Sequence, residues 1–267
     1  MGARGGVPTI FRGVGAWAAL SLGALGCQSN APSSNERRDA GTAAAKTVPD
    51  GGSPTALGLA QMNRIAADPT ALPEAMRLFE EALKRDPGDA SAAFGLGWAL
   101  QMKGEVDRSV SQYRRAIWLT SDKGPRDIEY FAHYNLGIVY GQKGLREAAL
   151  GEFSLAAAAD PTSWTGLYNL GLQMVALQCL PAATVPLRRA VLLHPKEAAI
   201  RYELGIALWK SGERAPAETE FAEAVKLQPS MAGTIERFKS LSTPAAGVTA
   251  APPSAKRLKL GKRPRPR

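Results

Sequence analysis

YNLGIVYGQKGLREAALGEFSLAAAADP, residues 134–161, decides the fold of this chain. Leu136, Gly137 and Tyr140 stand at i, i+1 and i+4, one face of a helix at its natural period. Gly144 ends that helix, because glycine takes the left-handed cap conformation without a steric penalty. Ala149, Phe153 and Ala156 follow at i, i+4 and i+7 and mark the buried face of a second helix. Pro161 stops it, having no N–H with which to continue the ladder.

The same unit recurs in both directions. Ala82, Ala116, Ala156, Ala190 and Ala224 lie at steps of 34, 40, 34 and 34 residues. Pro87, Ser121, Pro161, Pro195 and Pro229 follow each of them five residues later. Leu96-Gly97, Leu136-Gly137, Leu170-Gly171 and Leu204-Gly205 keep the same phase, with Met62-Asn63 heading the series. A period near 34 with small, aromatic and proline positions in register means stacked helical pairs, each burying its faces on its neighbours.

The reading is an all-α, right-handed α-solenoid of about five helix-turn-helix repeats over residues 56–242, with units 56–89, 90–123, 130–163, 164–197 and 198–231. Ile235, Phe238 and Leu241 mark a cap helix over 232–242. Unit one carries Thr70 at the turn glycine and Asn63 at the small position, as suits a terminal unit. Residues 124–129 read as a loop insertion opened by Gly124-Pro125. Unit four has Gln178 for the turn glycine, and Pro186 is expected to kink its second helix.

This pattern resembles the tetratricopeptide repeat family, over about two-thirds of the chain. The resemblance implies a scaffold whose first helices line a concave groove for a protein or peptide partner. One column of side chains there is Phe94, Tyr134, Tyr168 and Tyr202, which also reads as packing between units. A second is Trp98, Ile138, Leu172 and Ile206, with Trp209 one turn on; Phe131 joins the predicted groove. Members of the family often place Asn in the second column, to hold a peptide backbone. Its apolar filling here predicts an apolar helix face or extended apolar peptide as ligand.

The N-terminus reads as an export signal over residues 1–26. Arg4 and Arg12 precede an apolar run, residues 14–26. Thirteen helical residues rise about 20 Å, short of the roughly 30 Å hydrocarbon core, so a cleaved signal fits better than a span. Ala24-Leu25-Gly26-Cys27 resembles the lipobox of bacterial lipoproteins, which implies a lipidated Cys27. Gln28 after it implies the outer membrane, facing the periplasm. Residues 27–55 then form a tether too rich in Ser, Asn, Pro, Gly and Ala to build a core. Lipoproteins that assemble pilus secretin rings, the pilotins, share this order of parts, a fold-level analogy.

The chain carries nine excess positive charges, and all of them are terminal: two in residues 1–26 and seven at Lys256, Arg257, Lys259, Lys262, Arg263, Arg265 and Arg267. The repeat body is neutral, which argues against nucleic acid as its partner. Residues 243–267 read as a Pro/Ala-rich linker and a basic tail able to meet an anionic surface. A soluble or nucleic-acid-associated adaptor working through that tail is the alternative.

Nothing in the chain assembles an active site, so it reads as a non-enzyme without metal or cofactor. His133 and His194 read as core or turn histidines, and Cys179 as a half-buried structural thiol. No Gly-rich phosphate loop or nucleophile elbow is present.

Overall fold

The computed structural model describes residues 52–121 and 124–242; the signal, the lipidation site, most of the tether and the basic tail lie outside them. The described residues form eleven α-helices and no strand. The helices pair as α1 (Pro54–Arg64) with α2 (Ala71–Arg85), α3 (Ala90–Lys103) with α4 (Val106–Thr120), and α5 (Arg126–Gln142) with α6 (Arg146–Ala159). Then come α7 (Trp164–Ala176) with α8 (Leu180–Leu193), α9 (Ala198–Lys210) with α10 (Arg214–Leu227), and the single cap α11 (Ala232–Ser242). The all-α solenoid of five units plus cap is thus the observed architecture.

Each second helix packs on its own first helix and on the first helix of the next unit. First helices also touch across units, α1 with α3, α3 with α5 and α7 with α9. The buried apolar side chains accordingly fall into groups shared by neighbouring units, a seam along the stack rather than one central core.

The turns within units two to five are built alike. The amide after the turn residue donates back to the carbonyl five residues earlier: Glu105 to Leu100 at 2.9 Å, Leu145 to Tyr140 at 2.9 Å, Cys179 to Met174 at 2.8 Å and Glu213 to Leu208 at 2.9 Å. This closure puts the turn residue in the left-handed region, φ 85° at Gly104, 74° at Gly144 and 90° at Gly212. Gln178 takes the same role at φ 60°, the one non-glycine residue with positive φ among those described.

Helix pairs interlock through one close approach per unit. A Cβ added at Gly97 would meet the Tyr113 ring at 2.9 Å, at Gly137 the Phe153 ring at 2.8 Å, at Gly171 the Leu187 side chain at 2.5 Å and at Gly205 the Phe221 ring at 2.5 Å. The missing side chain on the first helix is what lets the large one on the second lie flat against it. In unit one Gly58, not Asn63, does this, 2.8 Å from the Phe79 ring. The first unit's pair is therefore Leu57-Gly58. The expected phase fails there because the turn over residues 65–70 is longer than in the other units.

One further expectation changes. The insertion before unit three is only partly a loop: α5 begins at Arg126, so residues 126–129 add a turn to the first helix. Its start follows Pro125 and carries Asp127 and Glu129, which favour the positive end of the helix dipole. In unit four, Pro186 lies buried inside α8, which is helical from Leu180 to Leu193. The cap is held by Ile235, 2% exposed, and by Phe238, whose ring lies 6.0 Å from that of Phe221.

Candidate functional site

The predicted contact residues all lie on first helices, and the structure sorts them by depth. Phe94, Tyr134, Ile138 and Ile206 are buried, at 1%, 3%, 6% and 8% exposure. They form a floor rather than a contact surface, a correction that comes from their neighbours. Phe94 is closed in by Tyr113 at 5.8 Å and Phe131 at 6.0 Å. Tyr134 stacks on Tyr130 at 5.7 Å and meets the edge of Phe153 at 5.8 Å. Trp98, Phe131, Tyr168, Leu172, Tyr202 and Trp209 remain half-buried, each showing part of its side chain.

Polar groups that the sequence did not single out order this floor. Asn135 donates to the Phe131 carbonyl at 2.8 Å, and Asn169 to the Thr165 carbonyl at 2.9 Å and the Tyr134 hydroxyl at 3.3 Å. Burial pushes the Tyr134 phenol up, so it stays protonated at any ordinary pH. The Tyr130 hydroxyl, also raised by burial, meets Ser163 at 2.7 Å and Thr165 at 2.8 Å, joining units three and four. The amides missing from the second column are thus present one turn back, and bonded to their own helices.

Glu203 occupies the place of Asn135 and Asn169 one unit further on. A carboxylate cannot donate as those amides do; only the protonated acid can. Burial raises the Glu203 carboxyl from 4.5 to about 7, against the opposing field of Lys210. Because this pKa is higher folded than unfolded, the contribution is full below pH 4.5 and lost as pH rises through about 7. Glu203→Gln should therefore be more stable than wild type at pH 8 by up to about 3 kcal/mol and equal to it only below pH 4.5. Urea titrations at both pH values check this; an equal shift at both would mean a packing effect instead.

The isolated histidines and cysteine also find their places. His133 Nδ1 lies 2.7 Å from Glu152 on the facing helix, a pair repeated in register as Arg201 with Glu220 at 2.9 Å. The carboxylate partner of His133 is nineteen residues away in sequence and so was missed by local spacing. His194 stacks on Trp164 at 4.7 Å. Cys179 is exposed rather than half-buried, because it begins α8 just past the turn. Among the described residues no group of His, Cys, Asp and Glu could hold a metal ion, and no helix is long and apolar enough to cross a membrane.

Comparison with known proteins places the repeats. A family profile described as tetratricopeptide repeat matches residues 72–128 and 187–232. The solved structure "MamA RS-1 ArsTM double mutant" superposes with a TM-score of 0.55 at 22% identity, over 68% of this chain and 98% of that one. "MamA 41-end from Desulfovibrio magneticus RS-1" gives 0.54 at 21% identity, over 68% and 98%. "YrrB: a TPR protein with an unusual peptide-binding site" gives 0.54 at 18%, over 66% of this chain and 88% of that one. A member of the BBSome complex from Bos taurus, BBS4, is 26% identical over 145 residues, 54% of this chain but only 27% of that protein. The chain thus spans about a quarter of that relative. The fold is of tetratricopeptide type, and the repeat match supports a protein-interaction scaffold.

Proposed function

We propose that this protein is a non-catalytic scaffold that binds an apolar helix or extended apolar peptide on the inner face of its first helices. The observation that carries the reading is the row of half-buried Trp98, Phe131, Tyr168, Leu172 and Tyr202 on four successive first helices, over a closed floor. Exposed aromatic and aliphatic surface over an ordered backbone is where binding energy concentrates. YrrB, of the same fold, is described as having an unusual peptide-binding site, which is consistent with this use of the architecture. The proposal extends to place and role: a lipid on Cys27 holds the scaffold to the bacterial envelope, at the outer membrane facing the periplasm, where it serves complex assembly in the manner of a pilotin. The support is the short apolar run ending at Cys27 and the polar stretch after it.

Two measurements test this. Pull-down with Trp98→Ala, Leu172→Asp should lose the main partner recovered by wild type, while deletion of residues 256–267 should keep it. If binding survives in the double variant and disappears with the tail, recognition belongs to residues 256–267 and the adaptor reading replaces this one. Membrane fractionation with fatty-acid labelling should find wild type labelled and sedimenting, and Cys27→Ser unlabelled and soluble. An unlabelled, soluble wild type sinks the anchor.

A further inference from the structure

At the turn edge of units four and five, away from the aromatic row, a pocket of about 400 Å³ opens between Gln178, Leu180, Trp209, Lys210, Arg214 and Ser242. That volume suits a small ligand group. Its chemistry is one-sided. Lys210, Arg214 and the Trp209 indole N–H can only donate, and no carboxylate lines the pocket. Arg214 lies flat over the Trp209 ring, 3.8 Å from its centre, and neither Arg214 nor Lys210 has an acid within ion-pair distance among the described residues. Glu213, adjacent in the chain, turns instead toward Arg188, 4.0 Å away.

The Trp209 Nε1 donor beneath the pocket is buried with no acceptor, at a cost of about 1–3 kcal/mol. The pocket wall also contains the strained Gln178, φ 60°, where the three sister turns use glycine. A left-handed non-glycine residue here carries a side chain into the pocket wall at a cost in backbone strain.

We propose that this pocket receives an acidic segment of a partner polypeptide, whose carboxylate pairs with Lys210 and Arg214, while its apolar neighbours lie on Leu180 and the Trp209 ring. The apolar wall favours a peptide over a bare anion. The chain's own basic residues 256–267 carry the same charge as Lys210 and Arg214, so they are not the occupant. The site goes beyond the groove reading and does not depend on it.

Fluorescence anisotropy with a labelled peptide of alternating glutamate and leucine, against the full chain, tests the site. Binding should weaken about tenfold or more in Lys210→Glu and in Arg214→Glu, and survive in Lys210→Arg, in line with the strength of charge-assisted hydrogen bonds. It should fall as salt is raised, and the glutamine counterpart of the peptide should not bind. Trp98→Ala, Leu172→Asp should bind the peptide normally, so failure of the groove reading is seen separately. Gln178→Gly should unfold at a higher temperature, relieved of its backbone strain, yet hold the peptide less well. Circular dichroism confirms that each variant keeps its helices. Binding unchanged in both charge reversals, binding abolished only by removal of residues 256–267, or displacement by inorganic phosphate alone overturns the proposal.

Discussion

Phe79→Ala lowers the unfolding free energy by about 3–5 kcal/mol, the range for a phenylalanine removed from a closed site. Phe79 is fully buried, and its ring lies between two backbones rather than against one. Cβ atoms placed at Gly58 and Gly95 would stand 2.8 and 2.4 Å from it. Truncation opens a cavity that neither glycine can fill. In a stack where each unit contacts only its neighbours, the loss stays local. Hydrogen exchange should quicken in α1 and α2 and hold steady from α7 to α11; a uniform change along the array would contradict the interlocked stack. Gly95→Ala gives the converse result. Alanine gains about 1 kcal/mol over glycine inside a helix, so a net loss of stability shows that the contact with the ring outweighs propensity.

Phe221→Ala costs about the same, about 3–5 kcal/mol, but its consequence falls at the other end. Phe221 is 1% exposed and lies 6.2 Å from the rings of Tyr202 and Trp209 and 6.0 Å from Phe238. Its ring is the main apolar surface under the cap. Without it, α11 keeps Ile235, the Phe238–Trp209 contact at 6.4 Å and the Lys239–Glu218 pair at 2.6 Å, and among residues 52–242 limited proteolysis should cut first between 229 and 242. Intact cut patterns, with a stability loss under about 1 kcal/mol, would show that the cap is held by something other than this ring.

Much of this fold could be read from the chain. Phase in sequence became stacking in space for units two to five, because the interlocking glycine and large side chain are separated by the same interval in each. The period failed where the spacing broke. Leu57-Gly58 was legible as a Leu-Gly pair, but it stands five residues before the place the period assigned to Met62-Asn63. At the start of α5 the signal was present too: Pro125 followed by Asp127 and Glu129 is the opening of a helix, although Gly124-Pro125 suggested only a loop.

The site was less legible than the fold. Phe94 and Tyr168 share one column, yet one is buried and the other shows part of its ring, since depth depends on what the adjacent unit brings. Phe131 closes over Phe94 from the first helix of the next unit, a contact across units. The His133–Glu152 pair needed the facing of two helices to be known, and its echo in Arg201–Glu220 could have been found by aligning units rather than neighbours. The pocket at Trp209 joins three chain segments and has no signature in any one of them, apart from the odd Gln178.

The ring wedged between Gly58 and Gly95 also decides how the molecule carries load. If the chain is held through its N-terminus while a partner pulls on the inner face, tension enters at Pro54 and can reach the later units only through α1 and α2. Phe79 is the pin of that joint. A stack loaded from that end yields there first, so the first unit would peel away while the later units kept their shape, a mechanical fuse at the N-terminal end of the array.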